Sequence, residues 1–246
     1  MSGNKSFFSL LFNYCIDQHS RIISLTLEHL YISLVALLIT LVICIPLGIY
    51  ITRNEKLKPY VIGMANIFQT IPSLALLGFL IFILGIGNKN AIAVLVMFAM
   101  LPVIQNTYIG IKNVTPSLVQ AAKGMGMTDR QILFKVELPL ALPVIIGGIR
   151  VASVWIIGTA SLAAAIGGGG LGRLIFSGLS SLRNEVIFAG AFPATLLALL
   201  SDQGFKLLQA YLTPERRAKR VLKKANRVEG TEKTESKKIL EKMGEI

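Results

Sequence analysis

Groups able to do covalent or acid–base chemistry are few in this chain of 246 residues. Its histidines, His19 and His29, lie near the N-terminus beside Asp17 and Glu28. A bound metal needs several converging ligands, and this set is thin, so the four residues are read as interfacial polar groups with no metal site. Neither histidine has an evident Ser or Cys nucleophile to activate. Cys15 and Cys44 are far apart, the second inside an apolar run, and free thiols are expected. Gly167, Gly169 and Gly172 fit the GxGxxG spacing, with Glu185 near the place of a ribose-binding acid. No strand precedes these glycines and no βαβ unit surrounds them, so they are read as a helix-terminating turn or a close-packed bend. A GxxxxGK[ST] phosphate loop is absent from the sequence. The expectation is a chain with no catalytic residue and no cofactor of its own.

Composition says what must hold such residues. Hydrophobic residues make up 53% and charged residues 15%, and the mean hydropathy is +0.65, which points to an integral membrane protein. The formal charge of +12 raises the question of nucleic acid, but the cations are not interleaved with stacking aromatics. They cluster beside apolar spans, where anionic lipid and membrane orientation account for them. No nucleic-acid partner is expected.

Residues 1–27 carry one apolar burst, Phe7 to Phe12, and are read as an outer, partly interfacial segment without a cleavable signal. Leu30 to Tyr50 supplies the first run of about twenty apolar residues that a bilayer core requires. The connector Arg53 to Lys58 is net basic and is assigned to the cytoplasm. A second span, Tyr60 to Gly85, is interrupted at Gln69-Thr70-Ile71-Pro72-Ser73; Pro72 removes a backbone donor, so this break should face protein or a water-filled path. A third span begins at Ala91 and ends in Gln105, Asn106, Thr107 and Tyr108, a polar end expected to pack inward. The fourth, Leu140 to Ile166, is rich in small residues that allow close helix contact, as in a buried central helix. Its one interior charge, Arg150, lies roughly 15 Å along the helix and must snorkel, find a partner or line an aqueous cavity. A last span ends near Leu212, and a charged, mainly basic tail fills residues 213–246. The fold class is therefore all-α: a polytopic membrane protein of five spans, with the N-terminal burst as a partial sixth. The N-terminus is expected outside and the C-terminus in the cytoplasm.

Between the third and fourth spans lies Gln120 to Pro139, QAAKGMGMTDRQILFKVELP. Gln120 to Lys123 favour helix, and Gly126 should end it. Thr128 and Gln131 fit a capping box that starts a second short helix, with Ile132, Leu133 and Val136 on one face before Leu138-Pro139 stops the run. This loop resembles the EAA loop of ATP-binding-cassette importer permeases: EAA, three residues, Gly, nine residues, Ile-x-Leu-Pro. Ala121, Ala122, Gly126, Leu138 and Pro139 match at that spacing, with Gln120 in place of Glu and Val136 in place of Ile.

The resemblance covers about residues 25–210 and narrows at Asn66 to Leu80 and at Gly148 to Gly172 to permeases of the osmoprotectant branch, for glycine betaine, carnitine or choline. The methionine importer permease is the nearest competitor, and an ATP-independent channel or carrier is the alternative from another class. The resemblance implies the type I importer permease fold over residues 28–212, and a loop that forms coupling helices against a separate ATPase subunit. It further implies an extracellular binding protein, a second permease copy or paralogue, and a multi-pass position in the plasma membrane. The candidate path residues are Gln69, Thr70, Pro72, Ser73 and Arg150. The spans hold no clustered aromatic box for a quaternary ammonium, and Trp155 is read as core packing.

Overall fold

Long apolar runs without strand alternation leave the backbone no way to satisfy its polar groups inside lipid except as helices. A computed structural model describes residues 7–212; the first six residues of the outer segment and the basic tail of residues 213–246 lie outside the described residues. In chain order the helices are α1 (Phe7–Asp17), α2 (His19–Arg53), α3 (Lys58–Thr70), α4 (Ser73–Leu84), α5 (Asn88–Lys112), α6 (Pro116–Gly124), α7 (Asp129–Ile132), α8 (Leu138–Ala160), α9 (Gly172–Ser180) and α10 (Asn184–Leu212). A π-helical turn, Leu133–Glu137, joins α7 to α8, and a 3-10 segment, Ser161–Ile166, extends α8. Among the described residues four helical stretches are long and apolar enough to cross a membrane: α2, α5, the run Asp129–Ile166, and α10. The α3–α4 pair makes a fifth span if counted as one, bent by 104°.

The core lies where α2, α5 and α8 meet, around Ile32, Ala36, Ile104, Ile145, Ala152 and Ile156. Small residues set the spacing. A Cβ on Gly148 would stand 2.6 Å from both the Pro102 carbonyl oxygen and the Asn106 Cβ of α5, so any larger residue there must push α5 and α8 apart. The inward end of α5 is as expected at Thr107, which is fully buried, whereas Gln105 is exposed.

Two sequence expectations need correction. Residues 19–29 are not a separate interfacial segment; they are the first turns of α2, a helix of 35 residues. Leu25 packs with Leu171, Leu174 and Val186, and His29 is fully buried with its Nε2 3.0 Å from the Ile157 carbonyl oxygen. Burial against α8, α9 and α10 recruits this stretch, which its polar residues disguised. Pro139 likewise does not stop the helical run. It stands in the first turn of α8 after the π turn, where the Leu138 N–H donates to the Leu133 carbonyl. The wider turn accommodates a residue that has no N–H and whose ring would crowd the preceding turn.

Each of the four long spans carries an interior proline: Pro46, Pro102, Pro143 and Pro193. Pro102 cannot donate to the Phe98 carbonyl one turn earlier. The Gln69 side-chain amide donates to that carbonyl instead, at 2.9 Å. The last turn of α3 is thereby pinned to α5, next to the break. Gln69→Leu is expected to destabilise the permease by about 1–3 kcal/mol, the cost of an unpaired buried carbonyl. The penalty should shrink in a Pro102→Ala background, where residue 102 regains its N–H; thermal unfolding in detergent, as a double-mutant cycle, measures both.

Candidate functional site

The 120–139 loop is built from local rules. Pro116 occupies the first turn of α6, where its missing N–H is harmless. The helix ends in a Schellman arrangement: the Met127 N–H donates to the Ala122 carbonyl at 3.1 Å and the Gly126 N–H to the Lys123 carbonyl at 2.9 Å. Gly126 takes φ +79° to allow it. Thr128 caps α7 in the expected capping box, with Gln131 reciprocating. Ala122 and Ile132 are buried beneath the loop. Gln120, Ala121, Gly126 and Pro139 are exposed, with Val136 and Leu138 half-buried. Leu118, earlier on α6, and Met125 and Phe134 on the loop are large exposed apolar side chains.

A contact that the sequence reading missed holds this knob to the bundle. Glu137 is buried, with its side chain 6% exposed, and accepts from Arg53 at the end of α2, through Nη1 at 3.2 Å and through Nη2. A carboxylate directly ahead of an apolar run, opposite a basic connector, was the available signal. Lys112 at the end of α5 donates to Glu55 in that connector. Arg53, Lys112, Gln120, Lys123 and Glu137 border a cavity of about 290 Å³ under α6.

The candidate path residues fall into two places. Thr70 and Pro72 are exposed at the α3–α4 break, with Gln69 and Ser73 half-buried. Ile71 and Pro72 are extended, at ψ 128° and 132°. Thr70 donates to the Ile67 carbonyl of its own helix. Arg150 instead finds a partner on α10: its Nε donates to Asp202 Oδ1 at 2.5 Å and its Nη2 to Oδ2 at 2.8 Å. Among the described residues no hydrogen bond or ion pair joins Arg150 to the break. Trp155 departs from the core role expected of it: it is 50% exposed.

The glycine-rich stretch is a pinned bend. Gly167 and Gly170 have φ of +73° and +85°. The Gly169 N–H donates to Asn88 Oδ1 at 2.7 Å and the Gly170 N–H to Glu28 Oε2 at 3.1 Å. A Cβ on Gly169 would stand 1.8 Å from Glu28 Oε1. Glu28 thus holds the bend; among the described residues no group of three or more His, Cys, Asp or Glu side chains converges.

Broken span, capped loop and four long spans together define a membrane permease. The family of binding-protein-dependent transport system inner membrane components matches residues 44–218. The chain belongs to that family, the membrane component of ATP-binding-cassette importers, whose members work with an ATPase and a substrate-binding protein. It is 46% identical over 188 residues, 76% of this chain and 87% of the relative, to the glycine betaine/carnitine/choline transport system permease protein OpuCB of Bacillus subtilis (strain 168). It is 46% identical over 189 residues, 77% of this chain and 87% of the relative, to the choline transport system permease protein OpuBB of the same strain. Among solved structures, an inward-facing form of the MetNI methionine transporter matches with a TM-score of 0.73 and 25% identity, covering 80% of this chain and 98% of that one.

Arg53→Met is expected to destabilise the permease by about 1–3 kcal/mol by leaving the buried Glu137 carboxylate unpaired. Combining it with Glu137→Leu should recover most of that loss, read by thermal unfolding in detergent. Gly126→Ala, with open space around its Cβ but φ +79°, should cost about 1 kcal/mol. Protease sensitivity between α6 and α7 should rise with it.

Proposed function

We propose that this chain is the membrane-spanning permease subunit of an ATP-driven importer of quaternary-amine osmoprotectants: glycine betaine, carnitine or choline. The 46% identity to the OpuCB and OpuBB permeases over some three-quarters of the chain carries the substrate class. The lower identity to the methionine permease, 25%, supports shared architecture more than shared cargo. Methionine remains the competing cargo because that structure aligns over nearly its whole length.

In this reading the 120–139 loop docks on the ATPase. Leu118, Met125 and Phe134 supply an apolar contact patch on an otherwise polar knob. Gln120, Ala121, Ala122, Gly126, Val136, Leu138 and Pro139 set its shape. The unbroken run from α7 through the π turn into α8 carries ATPase motion into the bundle, and the Arg53–Glu137 pair carries it to α2. The path is bordered by the α3–α4 break, at Gln69, Thr70, Pro72 and Ser73, and by Arg150. The loop faces the cytoplasm, with the N-terminus outside, because the connector Arg53 to Lys58 and the loop are net basic. Two permeases, identical or paralogous, complete the channel.

The reassembled transporter in proteoliposomes should accumulate labelled glycine betaine, carnitine or choline in an ATP-dependent way and leave methionine outside; the reverse result overturns the assignment. Met125→Glu together with Phe134→Glu should abolish co-purification of the ATPase while leaving the permease folded, as judged by size-exclusion profile. Retained co-purification counts against the loop as the docking site.

A further inference from the structure

A pocket between α8 and α10 has a composition that neither lipid packing nor the coupling loop calls for. Gly147, Arg150 and Trp155 of α8 and Asp202 and Gln209 of α10 border about 370 Å³, toward the small end of the roughly 300–1,000 Å³ typical of small-molecule sites. Ionisable residues at membrane depth mark substrate paths more often than packing, since burying charge against lipid is costly. Here both signs are present together. Arg150 and Asp202 neutralise one another yet keep side-chain exposures of 32% and 24%, so neither is sealed away from a third partner. The pair engages Nε and Nη2 of Arg150, leaving Nη1 outside it.

Trp155 supplies the third element. It is the chain's one tryptophan, half-exposed on this pocket, with an indole face of the kind that attracts a quaternary ammonium through its quadrupole. It follows Arg150 by five residues, about 7.5 Å of rise and roughly 140° around the helix, and both side chains border the one cavity. Gly147 leaves the floor of the pocket open; the nearest atom to a Cβ built there is Gln209 Nε2, at 3.5 Å, and Gln209 donates from that nitrogen to the Pro143 carbonyl at 2.9 Å. A purely cationic cargo meets Arg150 and a purely anionic one meets Asp202. A zwitterion satisfies both.

We propose that this pocket is a selectivity station on the import path for zwitterionic quaternary amines. The cargo's carboxylate binds the Arg150 guanidinium, and its quaternary ammonium lies against the Trp155 indole beside Asp202. The inference rests on the osmoprotectant reading above and assigns its cargo two specific contacts. Choline, which has no carboxylate, uses the Trp155 and Asp202 side alone.

The test is uptake of labelled glycine betaine and choline by proteoliposomes holding the complete transporter, with ATPase co-purification as the measure of intact assembly. Trp155→Leu is expected to lower uptake of both compounds about tenfold, and Trp155→Phe, which keeps an aromatic face, to retain most of it. The paired variant Arg150→Gln with Asp202→Asn removes both charges without leaving one unpaired. It is expected to lower glycine betaine uptake about tenfold more than choline uptake. Wild-type rates in Trp155→Leu, or an unchanged glycine betaine to choline ratio in the paired variant, overturn the station. Should Trp155→Leu fail to assemble, the ratio in the paired variant decides alone. If the wild-type transporter takes up neither compound, the osmoprotectant reading falls and the station falls with it; wild-type uptake with insensitive variants removes the station and leaves that reading standing.

Discussion

The close approach of α5 and α8 at Gly148 is the constraint on which most of this bundle depends. With backbone and Cβ atoms of α5 filling the space a side chain on residue 148 would need, the two helices share a tight seam, and α2 packs beside it to complete the core. Proline is admitted into that seam because a neighbour repairs the ladder. Pro102 leaves the Phe98 carbonyl without its usual donor, and Gln69 supplies one. The same hydrogen bond holds the end of α3 in place just before the chain turns by 104° into α4. A packing decision on one helix thus sets where a break opens on another.

Mechanical continuity follows from a second local compromise. An uninterrupted helix from α7 into α8 would place Pro139 against its own preceding turn, and a complete stop would uncouple the loop from the bundle. The π turn Leu133–Glu137 avoids both outcomes. It also buries Glu137 within reach of Arg53, so the loop is attached covalently to the central helix and ionically to the first long one. A rigid knob with two attachments can pass a displacement on, whereas a flexible loop would absorb it.

Several polar groups inside the bundle pair across elements far apart in the chain. Arg150 and Asp202 neutralise each other across α8 and α10. Glu28 and Asn88 take the N–H groups of a glycine bend that has no room for side chains. These arrangements use residues 52 to 142 positions apart in the chain, which is why pattern reading along the sequence did not foresee them.

The sequence by itself determined the all-α membrane class, the five apolar runs, the break at Gln69 to Ser73, and the two-helix loop with its Gly126 turn and Thr128 cap. These depend on local hydropathy, proline and glycine backbone limits, and capping over a few residues. Tertiary structure decided the rest. It drew residues 19–29 into the first long helix, with Leu25 packed on Leu171, Leu174 and Val186 and His29 buried against Ile157; it carried the helical run through Pro139 by way of a π turn. It paired Arg150 with Asp202 and Arg53 with Glu137, and left Trp155 facing outward beside a charged pair. Each of these outcomes is set by which helix faces which, and that depends on contacts between residues far apart in the chain.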